Sequence, residues 1–375
     1  MQRAFRTPLA VAAAVALGYL LWTGWYVHHH PVRTLAYVSP FFQGRHGGSA
    51  SIARIPPTAG NTFGYDGQFY YYIAADPFGA RPYLDNAAYR YSRALYPLAA
   101  KVVALDRESA LPWSLLLVGI AGAALGTWAL ATFVLRRGVS AWYGAVFGVY
   151  PGLFQGVSHD LVEPLAYGIV ALGLLVWFRE RPRLWTAAAC FGLAGATRET
   201  TLLFPVVIGL WLALRDRRLR DSAVMLGVSL APYIVIKVAL FAWLDSFGQS
   251  LERNLEPVPF LGLVHQWPWS DYSVQQILAV VVPGLLAVAV AWWAIRRVTL
   301  ELAHLAANVL VLVVLLPGTS YVNYLASGRI ATGVVVAFVL CLPAVVSAGR
   351  VAQAWLPIAL WLTPWYSVLP EAVRR

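Results

Sequence analysis

Long, continuously apolar runs constrain this chain more than any other feature. They recur along 375 residues of which 59% are hydrophobic and only 12% charged, whereas soluble domains carry about 25% charged residues. A helix needs about 20 apolar residues to cross a bilayer. The runs are continuous rather than alternating, which argues against a transmembrane β-barrel and for an all-α polytopic membrane protein. Candidate spans fall at 8–27, 111–135, 140–156, 161–178, 185–197, 201–214, 222–244, 276–295, 300–317, 330–348 and 354–368, a bundle of about 10–11 helices. Segments 185–197 and 201–214 are shorter than the roughly 20 residues a bilayer needs and read as broken or half-inserted helices around a protein-lined cavity. The run after Arg3 and Arg6 is long, with no small-x-small cleavage site before His28, so it reads as an uncleaved first helix. The whole chain, 1–375, reads as one transmembrane domain with a long, partly helical first outer loop at 28–110.

The formal net charge is +11. Nucleic acid is one partner for such an excess, but the arginines cluster at the ends of apolar segments, where orientation signals belong. Suppose the N-terminus is cytoplasmic and every segment crosses. The cytoplasmic junctions then hold Arg3, Arg6, Arg136, Arg137, Arg179, Arg181, Arg183, Arg215, Arg217, Arg218, Arg220, Arg296, Arg297 and Arg350. The short outer loops hold Arg198, Arg253 and Arg329, and the 28–110 loop does not count because long loops translocate regardless of charge. Arg374 and Arg375 contradict this count, so the last segment either does not cross or ends exceptionally. Cys190 and Cys341 lie inside apolar segments and suggest no disulfide, metal or redox role.

This topology gathers the unusual polar residues on the outer face. The most distinctive is Asp66, inside Gly64-Tyr65-Asp66-Gly67-Gln68-Phe69-Tyr70. A carboxylate within reach of a hydroxyl can act as general base, and Tyr65, Phe69 and Tyr70 could stack on a sugar ring. The bland alternative is a helix cap among interfacial tyrosines. Arg90 and Arg93, at i and i+3, share a helix face and could clamp a phosphate or simply face headgroups. Asp160 and Glu163 form another i, i+3 pair that either faces one cavity or caps the next helix; His159 beside them is a weak metal signal. Arg198-Glu199 sits between the two short segments and suits either a lipid-linked phosphate or a local ion pair. Lys237, within an apolar span, needs a partner or must snorkel. The 245–275 loop, with Glu252, Arg253, Asn254, Trp267, Trp269 and Tyr272, reads as interfacial anchors or a sugar platform. Tyr321, Asn323, Tyr324 and Arg329 make the last outer cluster. There is no Gly-rich phosphate loop, nucleophile elbow or specific metal motif.

Tyr65-Asp66-Gly67-Gln68-Phe69-Tyr70, then Asp85-Asn86 and Tyr89-Arg90-Tyr91-x-Arg93-x-Leu95-Tyr96-Pro97, resemble the bacterial cell-surface glycopolymer formation membrane proteins. Glu163-Pro164-Leu165-Ala166 and Ala196-Thr197-Arg198-Glu199 fit the later pattern, so the resemblance covers about the first 215 residues. Those proteins are similar to the GT-C superfamily of polyprenyl-phosphate-sugar-dependent glycosyltransferases, including the GPI second-mannose transferases. The resemblance implies a GT-C helical bundle in a bacterial inner membrane, with its site facing the periplasm or exterior. It implies a polyprenyl-phosphate sugar (mannose is one candidate) as donor and a lipid-linked or cell-surface glycan as acceptor. Asp66 matches the family's acidic residue in the first outer loop, which serves as catalytic base or orients the acceptor. Arg198, Arg90, Arg93 and Arg329 are the candidates for the donor phosphate. Tyr65, Gln68, Tyr70, Asp160, Glu163 and Glu199 are candidates for substrate contact. No cofactor is expected; no Asp-x-Asp pair occurs in the first outer loop, so a required metal is unsupported and a divalent metal stays open. A lipid-linked glycan flippase and a non-catalytic assembly subunit remain alternatives; a flippase would favour repeat symmetry and polar residues on both faces.

Overall fold

The computed structural model describes residues 2–45, 47–60, 62–248 and 255–374. Among these the chain is helical throughout, with no strand. Five helices are long and apolar enough to cross a membrane: Thr7–His29, Glu108–Arg136, Leu219–Leu244, Asp271–Ile295 and Tyr324–Ser347. Four shorter apolar helices accompany them: Glu163–Trp177, Leu184–Thr197, Glu199–Leu214 and Leu300–Val314. Tight packing rests on small residues, as is usual where helices meet without a hydrophobic drive. Gly122 lies against the backbone of Leu165, and Gly168 against the carbonyl of Gly122, so the Leu111–Arg136 and Glu163–Trp177 helices approach backbone to backbone.

Two expected spans are not single helices. The 140–156 segment divides into short pieces at Ala141–Gly144, Ala145–Gly148 and Pro151–Ser158. Pro151 lacks an N–H and holds the preceding Tyr150 in an extended conformation (φ −66, ψ 124), so the helix cannot run through. The 354–368 segment divides into Val351–Leu362 and Trp365–Arg374 around Pro364. The short segments at 185–197 and 201–214 are two helices parted by Arg198, whose backbone is extended (φ −157, ψ 119).

The 28–110 region is largely helical, with Asp66–Ala75, Ala87–Tyr91 and Leu95–Val103 as its main pieces. Phe69, Tyr70, Tyr72, Tyr83 and Tyr96 pack into a second apolar cluster that also takes in Leu115, Val118 and Leu161 of the bundle. Most of the aromatic run around Asp66 is therefore packing material. Phe69 and Tyr70 are buried and offer no face to a sugar, which corrects the stacking role expected of them. Two glycines let the Asp66 helix dock. Gly64 takes a left-handed conformation (φ +74) open to few other residues. A Cβ on Gly67 would collide with the His159 carbonyl and lie 3.2 Å from that of Ala36, so only glycine lets the first turn press this closely on the bundle.

Candidate functional site

Asp66 is the first residue of its helix, where the helix dipole favours a carboxylate. Its side chain does not cap the helix; each oxygen instead meets an arginine. Arg90 Nη2 donates to Oδ1 at 2.9 Å and Arg329 Nη2 to Oδ2 at 2.8 Å. Arg90 also holds Asp85, through Nε at 2.8 Å and Nη2 at 2.6 Å. Arg329 reaches Glu163 at 3.4 Å, and Glu163 is tightly paired with Arg198. Arg93 grips Glu199 through Nε at 2.9 Å and through Nη2. Four carboxylates and four guanidinia from distant parts of the chain thus converge with no net charge.

Local structure explains who pairs with whom. Arg198 and Glu199 are neighbours, but the extended backbone at Arg198 points consecutive side chains apart. The expected local pair does not form; Arg198 goes to Glu163 and Glu199 to Arg93. Arg90 and Arg93 do not act as one clamp either, because the Ala87–Tyr91 helix ends between them. Each has its own carboxylate, and both guanidinia lie over the Tyr89 ring, at 5.2 and 4.3 Å. Asp160 and Glu163 part for a similar reason. Asp160 adopts a left-handed backbone (φ 51), is buried, and neither oxygen has a partner. Burial pushes its carboxyl well above the usual carboxylate range, and it stands outside the ion-pair network. Glu163 is wholly buried inside it.

Arg329 is positioned by glycines of another kind. Its helix, Tyr324–Ile330, meets the Pro151–Ser158 helix where Gly152 faces the Gly328 carbonyl, with no room for a Cβ. Tyr150 OH donates to that same carbonyl at 2.8 Å. The Tyr65 ring lies 5.4 Å from the Arg329 guanidinium.

Two residues expected to touch substrate have partners within the protein. Gln68 accepts from the Ser39 N–H at 3.0 Å and donates to the Phe63 carbonyl at 3.4 Å, pinning the loop. Tyr70 is buried, with its hydroxyl 3.5 Å from Arg93 Nη1. Asp85 belongs to the network, although its spacing from Arg90 carries no familiar periodicity; its place in the Asp85-Asn86 motif was the available signal. Lys237 donates to the Phe247 carbonyl at 2.7 Å and forms no ion pair with the network, although Glu199 and Arg93 lie close enough to act on its charge. Asn323 caps the Tyr324–Ile330 helix. Glu252, Arg253 and Asn254 lie outside the described residues.

The network is graded in exposure. Side-chain exposure falls from 34% at Asp85 and 28% at Glu199, through 17% at Asp66 and 13% at Arg329, to 0% at Glu163. It also has unused donors. Arg90 Nη1 and Arg329 Nε and Nη1 make no hydrogen bond within the protein, and neither does Glu163 Oε2. Burial alone would raise the Asp66 carboxyl, but Arg90 and Arg329 outweigh it and hold the group well below the usual carboxylate range. Among the described residues no three His, Cys, Asp or Glu side chains come together as metal ligands. Paired guanidinia of this kind bind tetrahedral oxyanions by bidentate hydrogen bonds. No known protein family, curated protein or solved structure matches the chain.

Proposed function

We propose that this protein is a membrane glycosyltransferase of the GT-C type. It moves a sugar from a polyprenyl-phosphate donor to a hydroxyl of a lipid-linked or cell-surface glycan, in a bacterial inner membrane. Its N-terminus is cytoplasmic and its site faces outward. The observation that carries the reading is the convergence on Asp66 of Arg90 and Arg329, which arrive from opposite ends of the sequence and keep guanidinium N–H groups unused.

The chemistry follows from those groups. A lipid phosphate is a good leaving group once a guanidinium neutralises it. Arg329, 13% exposed at its side chain and with a buried Nε that makes no hydrogen bond or ion pair, is the donor's first contact. As the phosphate takes over Arg329, one Asp66 oxygen is released. That oxygen accepts the acceptor hydroxyl's proton while the acceptor oxygen bonds to the anomeric carbon and the carbon–phosphate-oxygen bond breaks, with inversion. General base help of this kind contributes ~10²–10⁴-fold. Glu163, Arg198, Arg93 and Glu199 hold the frame. The test is transfer from a polyprenyl-phosphate sugar by purified protein. Asp66→Asn and Asp66→Ala are expected to lose ~10²–10⁴-fold in kcat; full activity in both removes Asp66 from the chemistry.

A flippase for lipid-linked glycans is the second reading. It is favoured by one observation, an arginine-lined cavity at the far end of the bundle. It predicts lipid movement across the bilayer with no new glycosidic bond, which reconstituted vesicles distinguish directly.

A further inference from the structure

The end of the bundle away from Asp66 has a different electrostatic character. A cavity of about 670 Å³ opens there. It lies between the ends of the Leu111–Arg136 and Val282–Ile295 helices, the start of Leu300–Val309 and the last turns of Thr332–Ser347. Glu301 is the one carboxylate in its wall, and it pairs with Arg137 at 2.7 Å. Arg137 is further fixed over the rings of Phe133 and Phe178.

That leaves Arg296 and Arg297 uncompensated. Arg296 has a left-handed backbone (φ 55) and donates its Nε to the Trp293 carbonyl at 2.8 Å, which leaves its two Nη groups without a protein partner. Arg297 makes no hydrogen bond or ion pair with any described residue. The opposite wall is apolar, with Leu340 and Pro343. Trp292 and Trp293, 49% and 38% exposed, stand beside the cavity as aromatic residues do at headgroup level. Both arginines are exposed, and they line a concave space shared with hydrocarbon side chains.

We propose that this cavity binds a phosphate ester anion. Two free guanidinia suit a singly or doubly charged phosphate, and the apolar wall suits the carbon attached to it. Basic pockets between helices at a membrane surface hold anionic lipid headgroups in this way. The same chemistry is offered by an anionic phospholipid and by free phosphate, and the site is independent of whether the Asp66 end transfers sugars.

The test titrates the purified full-length chain in neutral detergent with phosphatidylglycerol, phosphatidylcholine and inorganic phosphate, with bound ligand counted by native mass spectrometry. The wild type is expected to retain phosphatidylglycerol over phosphatidylcholine. Arg296→Gln with Arg297→Gln is expected to weaken that binding about 10²-fold, as two charge-assisted contacts are lost. Inorganic phosphate binding with the same sensitivity, and no preference for the lipid, supports the site and assigns it to the free anion. Equal binding by wild type and double variant, for both anions, overturns it. If the double variant does not purify folded, Arg297→Gln alone decides, since that side chain has no protein partner to lose; unchanged binding there overturns the site as well.

Discussion

The two ends of this bundle use arginine in opposite ways. Around Asp66 every guanidinium is answered by a carboxylate, and the cluster closes with no net charge. At the far end Glu301 answers Arg137 alone, and Arg296 and Arg297 face open space. The difference is functional in kind. An uncompensated pair attracts an anion directly, and binding asks little of the protein. A neutral network must release an internal carboxylate before an anion can enter, so binding is coupled to freeing a base. On the two proposals above, the Asp66 end exchanges an internal carboxylate for an anion and the other end retains one.

The largest expected effect separates the two ends by stability. Glu163 is fully buried between Arg198 and Arg329, and Glu163→Gln takes from Arg198 its ion-pair partner and leaves Arg329 with Asp66 alone. Breaking one partner of a buried pair costs about 3–5 kcal/mol. Glu301→Gln removes the partner of Arg137 in a pair with 18% and 33% side-chain exposure, and exposed pairs are worth about 0–1 kcal/mol. Thermal melts in one detergent compare the two variants. A loss at Glu163 no greater than at Glu301 would show that the network is not a buried structural unit.

A smaller effect runs in opposite directions at the two ends. If a donor phosphate must displace Asp66 from Arg329, then Asp66→Asn removes the competitor and leaves the cluster one positive charge in excess. The variant is expected to bind a polyprenyl phosphate about 10-fold more tightly than wild type while failing to transfer, since a modest surplus of about 1.4 kcal/mol suffices. Weaker or unchanged binding would mean that Asp66 positions the phosphate rather than competing with it. Arg297→Gln, with no internal competitor to remove, is expected only to weaken binding at its own end.

Much of this was legible in the sequence, though not the pairing. Asp66, Arg90, Arg93, Glu163, Arg198, Glu199 and Arg329 all stand out as charges beside apolar runs, and the structure draws them into one cluster. Neighbourhood in sequence misleads about partners. Arg198 and Glu199 separate because the backbone between the two short helices is extended, and Asp160 leaves Glu163 through a left-handed turn. Neither conformation is encoded in charge spacing. The aromatic run misleads differently: Phe69 and Tyr70 fill a core that exists only once the 28–110 region has docked on Leu115, Val118 and Leu161. Span counting failed where proline acts, at Pro151 and Pro364, because mean apolarity is blind to a missing N–H.

The smallest effect is on pH dependence, and it tests the exchange most finely. Asp66 has a folded-state pKa held below its ordinary value by Arg90 and Arg329 against burial. A depressed carboxylate pKa stabilises the folded state at pH above the unfolded value of about 3.9, and that contribution fades only as pH falls through the lower folded value. Between pH 5 and 8 Asp66 therefore adds no slope to stability, and in the free protein it stays ionised. In kcat/KM, which reports the free enzyme, Asp66 contributes no acid limb above about pH 5. Once donor phosphate occupies Arg329, Asp66 keeps its burial, loses one guanidinium and gains an anionic neighbour. All three push its pKa upward. The acid limb of kcat, which reports the bound complex, is then expected at higher pH than that of kcat/KM. Limbs in the reverse order, or a one-proton loss of kcat/KM between pH 7 and 5 with kcat flat, would mean that Asp66 keeps both arginines throughout the reaction.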